Sequence, residues 1–399
     1  MKPTLILHIG TCKTGTSALQ MCLAKNQKFL MENKICYSEF HESNNFHLNL
    51  TLSLIREYFE KNNIQNGKPV DIALGAIPIT SALYSQSPAD IAGRMKQVFY
   101  ENNCNTMVIS DECLFESTVW WIFPLSLNTE FLLNGRRNYI MRYFKETFEE
   151  FDIKIVCYLR RQDDYIESLY NQWVKGMDAE LYNTIFNNPS LSSDENKYKI
   201  DEINAPNIHM AKLINGMLNV DYYAHLSKWA ELYGKENIVI RPYEKNCLPK
   251  GVEYDFFTNI LNIGGGSLGN LKLYGEVNPG FKKDIIEYKM AARLFDLTKE
   301  IYSLNDSPAL AHLSENNKKN ILTAKQGNEI LEYYSGSNAR IAREYLRREN
   351  GALFYGRRRE SKDDYPGLSA QAAVDISREL ILMLKNTAQK RYEEQELIN

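Results

Sequence analysis

Short apolar runs alternate with stretches of helical spacing along this chain, and the alternation predicts its architecture. Residues 5–9 read Leu-Ile-Leu-His-Ile and end in Gly10, the pattern of a strand buried on both faces. Residues 17–30 then set Leu19, Cys22, Leu23 and Leu30 at helical intervals. A second short strand is expected at 34–37, helices at 50–61 and 89–102, and a strand at 106–110. A long helical stretch covers 130–151, and 153–159 is the cleanest strand. Asp163 can cap the next helix, which runs to about residue 175. A helix at 221–233 and a strand at 237–241 follow. Such alternation predicts an α/β fold, a parallel sheet with crossover helices. Residues 41–90 and 177–220 are irregular and read as insertions. From about 251 to 399 the pattern is mainly helical. The whole of 1–399 reads as one domain.

Composition narrows the function classes. The chain has 399 residues, 44% hydrophobic and 24% charged, enough to bury a core without disulfides or a structural metal. Lys+Arg number 47 and Asp+Glu 50, for a net charge of −3. That balance argues against coating nucleic acid, which needs many phosphate-neutralising cations, but allows a local anion site. Seven cysteines, an odd number without CxxC spacing, argue against a disulfide scaffold or a zinc site and fit a cytoplasmic location. No apolar run reaches the roughly 18 residues of a membrane span, and residues 1–10 lack a signal-peptide pattern. The cluster Arg357-Arg358-Arg359 is flanked by acids and reads as a solvated loop.

Two strand-to-helix passages carry chemistry. The first is Gly10-Thr11-Cys12-Lys13-Thr14-Gly15-Thr16-Ser17. Its glycine spacing and final serine match a phosphate-binding G-x-x-x-x-G-K-[ST] loop. However, Thr16 stands at the lysine position, and Lys13 lies inside the loop. Backbone amides at a helix N-terminus still form an anion cradle. Lys13 adds a movable charge, and Thr14, Thr16 and Ser17 add hydroxyls. The second passage ends the 153–159 strand with Arg160, followed eight residues later by Ser168. A guanidinium and a hydroxyl suit a phosphate. Equally, Arg160 could pair with Asp163 or Asp164.

Together these motifs resemble the sulfotransferase superfamily, whose donor is 3′-phosphoadenosine 5′-phosphosulfate. The family loop is similar to P-K-[ST]-G-T-[ST]-x-[LW]; here Cys12-Lys13-Thr14-Gly15-Thr16-Ser17-Ala18-Leu19 changes only the proline. The family's second motif, R-[NR]-P-x-D-x-x-x-S, is matched at Arg160, Asp164 and Ser168, with Gln162 replacing the proline. Residues 7–16, 229–244 and 337–354 are similar to bacterial sulfotransferases. The resemblance implies a P-loop-like three-layer α/β/α fold with a central parallel sheet, and no metal. It implies that Lys13, Thr14, Gly15, Thr16 and Ser17 hold the 5′-phosphosulfate, and that Arg160 and Ser168 hold the 3′-phosphate.

Sulfuryl transfer to a hydroxyl needs a base within hydrogen-bond reach. Glu112 follows the 106–110 strand and is the first candidate, with Asp111 beside it; an acidic pair there is also favoured by a helix dipole. His41 and His47 are alternatives, while His8 reads as a core group. The acceptor is expected to be a glycan or a sterol- or lipid-like alcohol. Phe115, Trp120, Trp121, Phe123, Tyr182 and Phe186 are candidate acceptor-side rings. A P-loop kinase or NTPase, or a donor-binding relative without catalysis, remain the rival readings.

Overall fold

The computed structural model describes residues 2–39, 47–62, 86–115, 129–176, 220–264, 268–269, 271–275 and 280–398. The chain divides into two compact units, each assembled from separated segments, where the sequence pattern suggests one domain. The first combines Met1–Arg161, Asn219–Asn278 and Tyr334–Gly356; the second combines Gln162–Leu218, Pro279–Tyr333 and Arg357–Asn399.

The first unit holds a five-stranded, all-parallel sheet, the α/β class that the alternation predicts. Its strands are β1 (Thr4–His8), β2 (Ile35–Cys36), β3 (Thr106–Ser110), β4 (Asp152–Leu159) and β5 (Ile238–Pro242), in the order β2-β3-β1-β4-β5. Leu5 lies opposite Met107 on one side and Ile153 on the other. Side chains alternate across the sheet. Ile6, Val108, Val156 and Tyr158 share one core with Leu19, Cys22, Leu23, Phe256 and Phe257. The second of these groups comes partly from α1 (Thr16–Lys25).

The expected helix at 17–30 is two helices, α1 and α2 (Gln27–Glu32). The break is Asn26, whose side-chain amide donates to the Cys22 carbonyl at 2.7 Å and so competes with the helical ladder. Helices α3 (Leu48–Lys61), α4 (Pro88–Glu101) and α5 (Thr129–Thr147) lie close to their expected bounds. Ser87 caps α4, accepting from the Asp90 amide, and Pro88 fills its first turn.

The second unit begins with α6 (Gln162–Gly176). The first unit resumes with α7 (Tyr222–Tyr233), capped by Asp221, and α8 (Gly251–Asp255), which continues into a π-turn at Phe256–Ile260. Further helices of the second unit are α9 (Lys283–Ala292), α10 (Thr298–Asp306) and α11 (Ala324–Tyr333). The first unit gains α12 (Ser335–Leu346), and the second ends in α13 (Ala370–Ile398).

One expectation for the second unit is corrected. Arg357 and Arg358 are exposed, but Arg359 is buried. Its Nε donates to Asp163 at 2.6 Å, Nη2 to Asp164 at 3.0 Å and Nη1 to Glu167 at 2.7 Å. Lys283 joins the same cluster, 2.7 Å from Glu167. Asp163 and Asp164 thus both pair with Arg359, nearly 200 residues downstream, and it fastens the first turn of α6. Among the described residues no helix is long and apolar enough to cross a membrane.

Candidate functional site

The sheet order dictates where a ligand can enter. β1 and β4 are neighbours, yet the chain leaves β1 toward β2 and leaves β4 toward β5. Connections that diverge from adjacent parallel strands open a crevice beyond their carboxyl ends. The Gly10–Gly15 loop stands on one side of this point and Arg160 on the other.

The loop is held by backbone conformation and by its own hydroxyls. Gly10, Lys13 and Gly15 have φ of 51°, 65° and 77°. At Gly15 a Cβ would stand 2.8 Å from Val252 Cγ1 and 3.3 Å from Tyr243 Cε2, so only glycine fits both the torsion and the space. Thr11 Oγ1 donates to the Tyr158 carbonyl at 3.1 Å, fixing the loop to β4. Thr14 Oγ1 donates to the Thr11 carbonyl at 2.6 Å. The Thr14 hydroxyl is thus a brace inside the loop, not the anion donor that its sequence position suggests. Ser17, in the first turn of α1, is half-buried.

Lys13 is half-buried and in the left-handed region, which costs a non-glycine residue about 1–2 kcal/mol. Arg160 offsets this: its Nη1 donates to the Lys13 carbonyl at 3.0 Å. The guanidinium also lies 6.0 Å from the centre of the Tyr243 ring. The Arg160 carbonyl accepts from Tyr222 Oη at 2.8 Å. Two cationic residues therefore converge on one loop. Ser168 is half-buried on α6 and belongs to the second unit.

Beneath the loop lies a polar network that β3 delivers. Glu112 is half-buried and accepts from Gln20 Nε2 at 2.5 Å. Burial pushes its carboxyl above the ordinary value, while hydrogen bonds from Gln20, from its own backbone amide and from Thr16, together with the charge of Lys13, pull it back. The Thr16 hydroxyl is thus engaged by Glu112. Asp111 is wholly buried. Its Oδ1 accepts from the Cys113 amide at 2.9 Å, its Oδ2 accepts from Thr51, and burial with the neighbouring Glu112 pushes it up to about 7. Asp111 is spent on holding backbone and α3, whereas Glu112 faces the loop.

His47 does not present a base. Its Nδ1 accepts from the Ser110 amide at 3.1 Å and its Nε2 lies 2.9 Å from the Ser38 carbonyl. Both nitrogens are occupied by backbone, and burial lowers its pKa to about 4. It is a neutral clamp between the ends of β2 and β3, a correction to its reading as a catalytic candidate. His8 is buried, with Nδ1 2.8 Å from Ser110 Oγ, and burial lowers it to about 3. Phe115 is buried, with its ring centre 5.8 Å from that of His225, so it is core. His41, Trp120, Trp121, Phe123, Tyr182 and Phe186 lie outside the described residues.

Sequence reasoning missed Gln20. Its signal was available: Thr16 and Gln20 are four apart on α1, so both point to one side of the helix.

No family model matches the chain, and no solved structure matches it. The chain is 27% identical over 236 residues to an uncharacterized protein of Archaeoglobus fulgidus. The match covers 56% of this chain and 54% of that protein, so the chain spans about half the length of the curated relative it matches.

Proposed function

We propose that the protein is a sulfotransferase that moves a sulfuryl group from 3′-phosphoadenosine 5′-phosphosulfate to an acceptor hydroxyl. The observation that carries this reading is the convergence at the crevice. Lys13 sits inside a glycine-bounded loop, Arg160 grips that loop from the next strand, and Glu112 lies against it. The loop's backbone amides and the cations suit an anionic donor.

In this reading the acceptor hydroxyl gives its proton to Glu112 as its oxygen bonds to sulfur. The bond between sulfur and the bridging oxygen breaks, and the electron pair stays on the leaving 5′-phosphate. Lys13 neutralises the charge that develops on that oxygen. Positioning and charge stabilisation supply the catalysis, as in phosphoryl transfer. Arg160 binds the donor and also sets the shape of the loop; a 3′-phosphate role for Ser168 is what the sequence resemblance alone implies. The acceptor is a glycan or a sterol- or lipid-like alcohol. A cytoplasmic setting belongs to the same proposal, since all seven cysteines are free thiols.

The test is incubation with 35S-labelled donor and an acceptor extract, followed by mass analysis of labelled products. A product heavier by one sulfuryl group, formed equally with and without a chelator, supports the reading. ATP hydrolysis that a chelator abolishes, with no use of the sulfated donor, sinks it in favour of a P-loop kinase or NTPase.

A further inference from the structure

The Glu112 carboxylate accepts from its own backbone amide, and the side chains that fix it come from α1, four residues apart: the Thr16 hydroxyl and the Gln20 side-chain amide. We propose that Gln20 is the positioning residue for Glu112, anchoring one carboxylate oxygen so that the group stays against the anion loop. This rests on the sulfuryl-transfer reading and adds to it a residue that contacts neither substrate.

Three observations carry it. First, Gln20 is 1% exposed, too deep to serve as a surface polar group. A buried amide persists only where it is used. Second, its orientation is determined: Nε2 must face the carboxylate, since a carbonyl oxygen there would meet another acceptor. The same Nε2 lies 3.4 Å from Ser110 Oγ, which in turn is 2.8 Å from His8 Nδ1. Gln20 therefore cannot swing away from Glu112 without leaving a buried chain of polar groups. Third, Glu112 has close company on every side. A Cβ on Gly10 would lie 3.6 Å from the Glu112 Cβ, Lys13 attracts its charge, and Asp111 and Tyr37 couple to it electrostatically. With burial disfavouring the anion, the Gln20 donor at 2.5 Å is the largest of the influences that favour it, ahead of the backbone amide, Thr16 and Lys13.

The experiment compares the full-length protein with Gln20→Met, which keeps the volume and removes the donor. Carboxyl 13C resonances of labelled glutamate are titrated, the Glu112 signal being the one absent in Glu112→Gln. The expected result is a midpoint raised by about one pH unit, a tenfold gain in proton affinity. The acidic limb of kcat/KM for the sulfated donor should move up by the same amount. Affinity for 3′-phosphoadenosine 5′-phosphate should stay unchanged. An unmoved midpoint overturns the proposal, as does a moved midpoint with an unmoved acidic limb in an enzyme that turns the donor over. If Gln20→Met does not fold, Gln20→Glu keeps the shape and replaces the donor by a second carboxyl; the midpoint must then rise further. A wild-type protein that never consumes the donor defeats sulfuryl transfer alone, and the midpoint still decides whether Gln20 governs Glu112.

Discussion

Replacing Arg359 by Met tests whether α6 is fastened by charge. The substitution keeps most of the aliphatic length and deletes hydrogen bonds to Asp163, Asp164 and Glu167. The three do not count equally. Asp164 is 41% exposed and contributes little. The Asp163 side chain is fully buried and Glu167 nearly so. Removing one partner of a buried ion pair costs about 3–5 kcal/mol, because the remaining charge stays desolvated. Lys283 still faces Glu167, which places the expected loss near the lower end, about 3 kcal/mol. The sign with pH follows from Glu167. Burial pushes its carboxyl up, but Lys283 and Arg359 outweigh burial and hold it below the ordinary value. A depressed carboxylate stabilises above its unfolded pKa of about 4.3 and loses that contribution as pH falls through the folded value. The deficit of Arg359→Met should therefore be greatest at neutral pH and shrink toward about pH 4 and below. Urea midpoints of both proteins across that range are the assay. A loss under about 1 kcal/mol at neutral pH, or one that does not change with pH, refutes the reasoning.

Other consequences are as specific. Gly15→Ala combines a left-handed torsion, about 1–2 kcal/mol, with a 2.8 Å clash against Val252, about 1–3 kcal/mol; calorimetry should show a fall of several degrees in melting temperature, and an unchanged melting temperature counts against the loop geometry. Lys13→Ala should cut turnover far more than affinity for 3′-phosphoadenosine 5′-phosphate. Arg160→Ala should weaken that affinity and also loosen the loop, read as faster amide exchange at residues 11–15; equal activity of Lys13→Ala and wild type excludes Lys13 from the chemistry. His47 and His8 are held neutral with pKa values lowered to about 4 and about 3. Stability should thus decline as pH falls from about 6.5, where unfolded histidine takes up a proton, toward those values; a His47→Gln variant that keeps the full decline shows that His47 is not its source.

The sheet was legible because its inner strands are buried on both faces and so read as continuous apolar runs. β1, β3 and β4 follow directly from that pattern, the edge strand β5 alternates buried and half-buried positions, and β2 shrinks to two residues because only Ile35 and Cys36 pair. The Gly10–Gly15 turn was legible for a different reason: a glycine-rich turn between strand and helix is a local motif. What escaped was set by distance along the chain. Arg359 looked like one of three surface cations because its three acids lie on a helix that only tertiary packing brings near. His47 looked chemically available because nothing local reveals that Ser38 and Ser110 close over its two nitrogens. Thr14 has the right residue type for an anion donor, but its proton is committed to the Thr11 carbonyl.

The position of β1 also governs how the molecule is born. The central strand is made before either of its partners, which begin at residues 106 and 152. At a synthesis rate of about 5–20 residues per second, Leu5–Ile9 waits several seconds for a neighbour. During that interval an apolar strand with two open edges is exposed to other chains. Assembly of the Gly10–Gly15 loop must wait longer, because Arg160 and Tyr243 come later still. Substitutions that slow closure of β3 and β4 on β1 should therefore lower the yield of native protein even where they leave the finished fold intact.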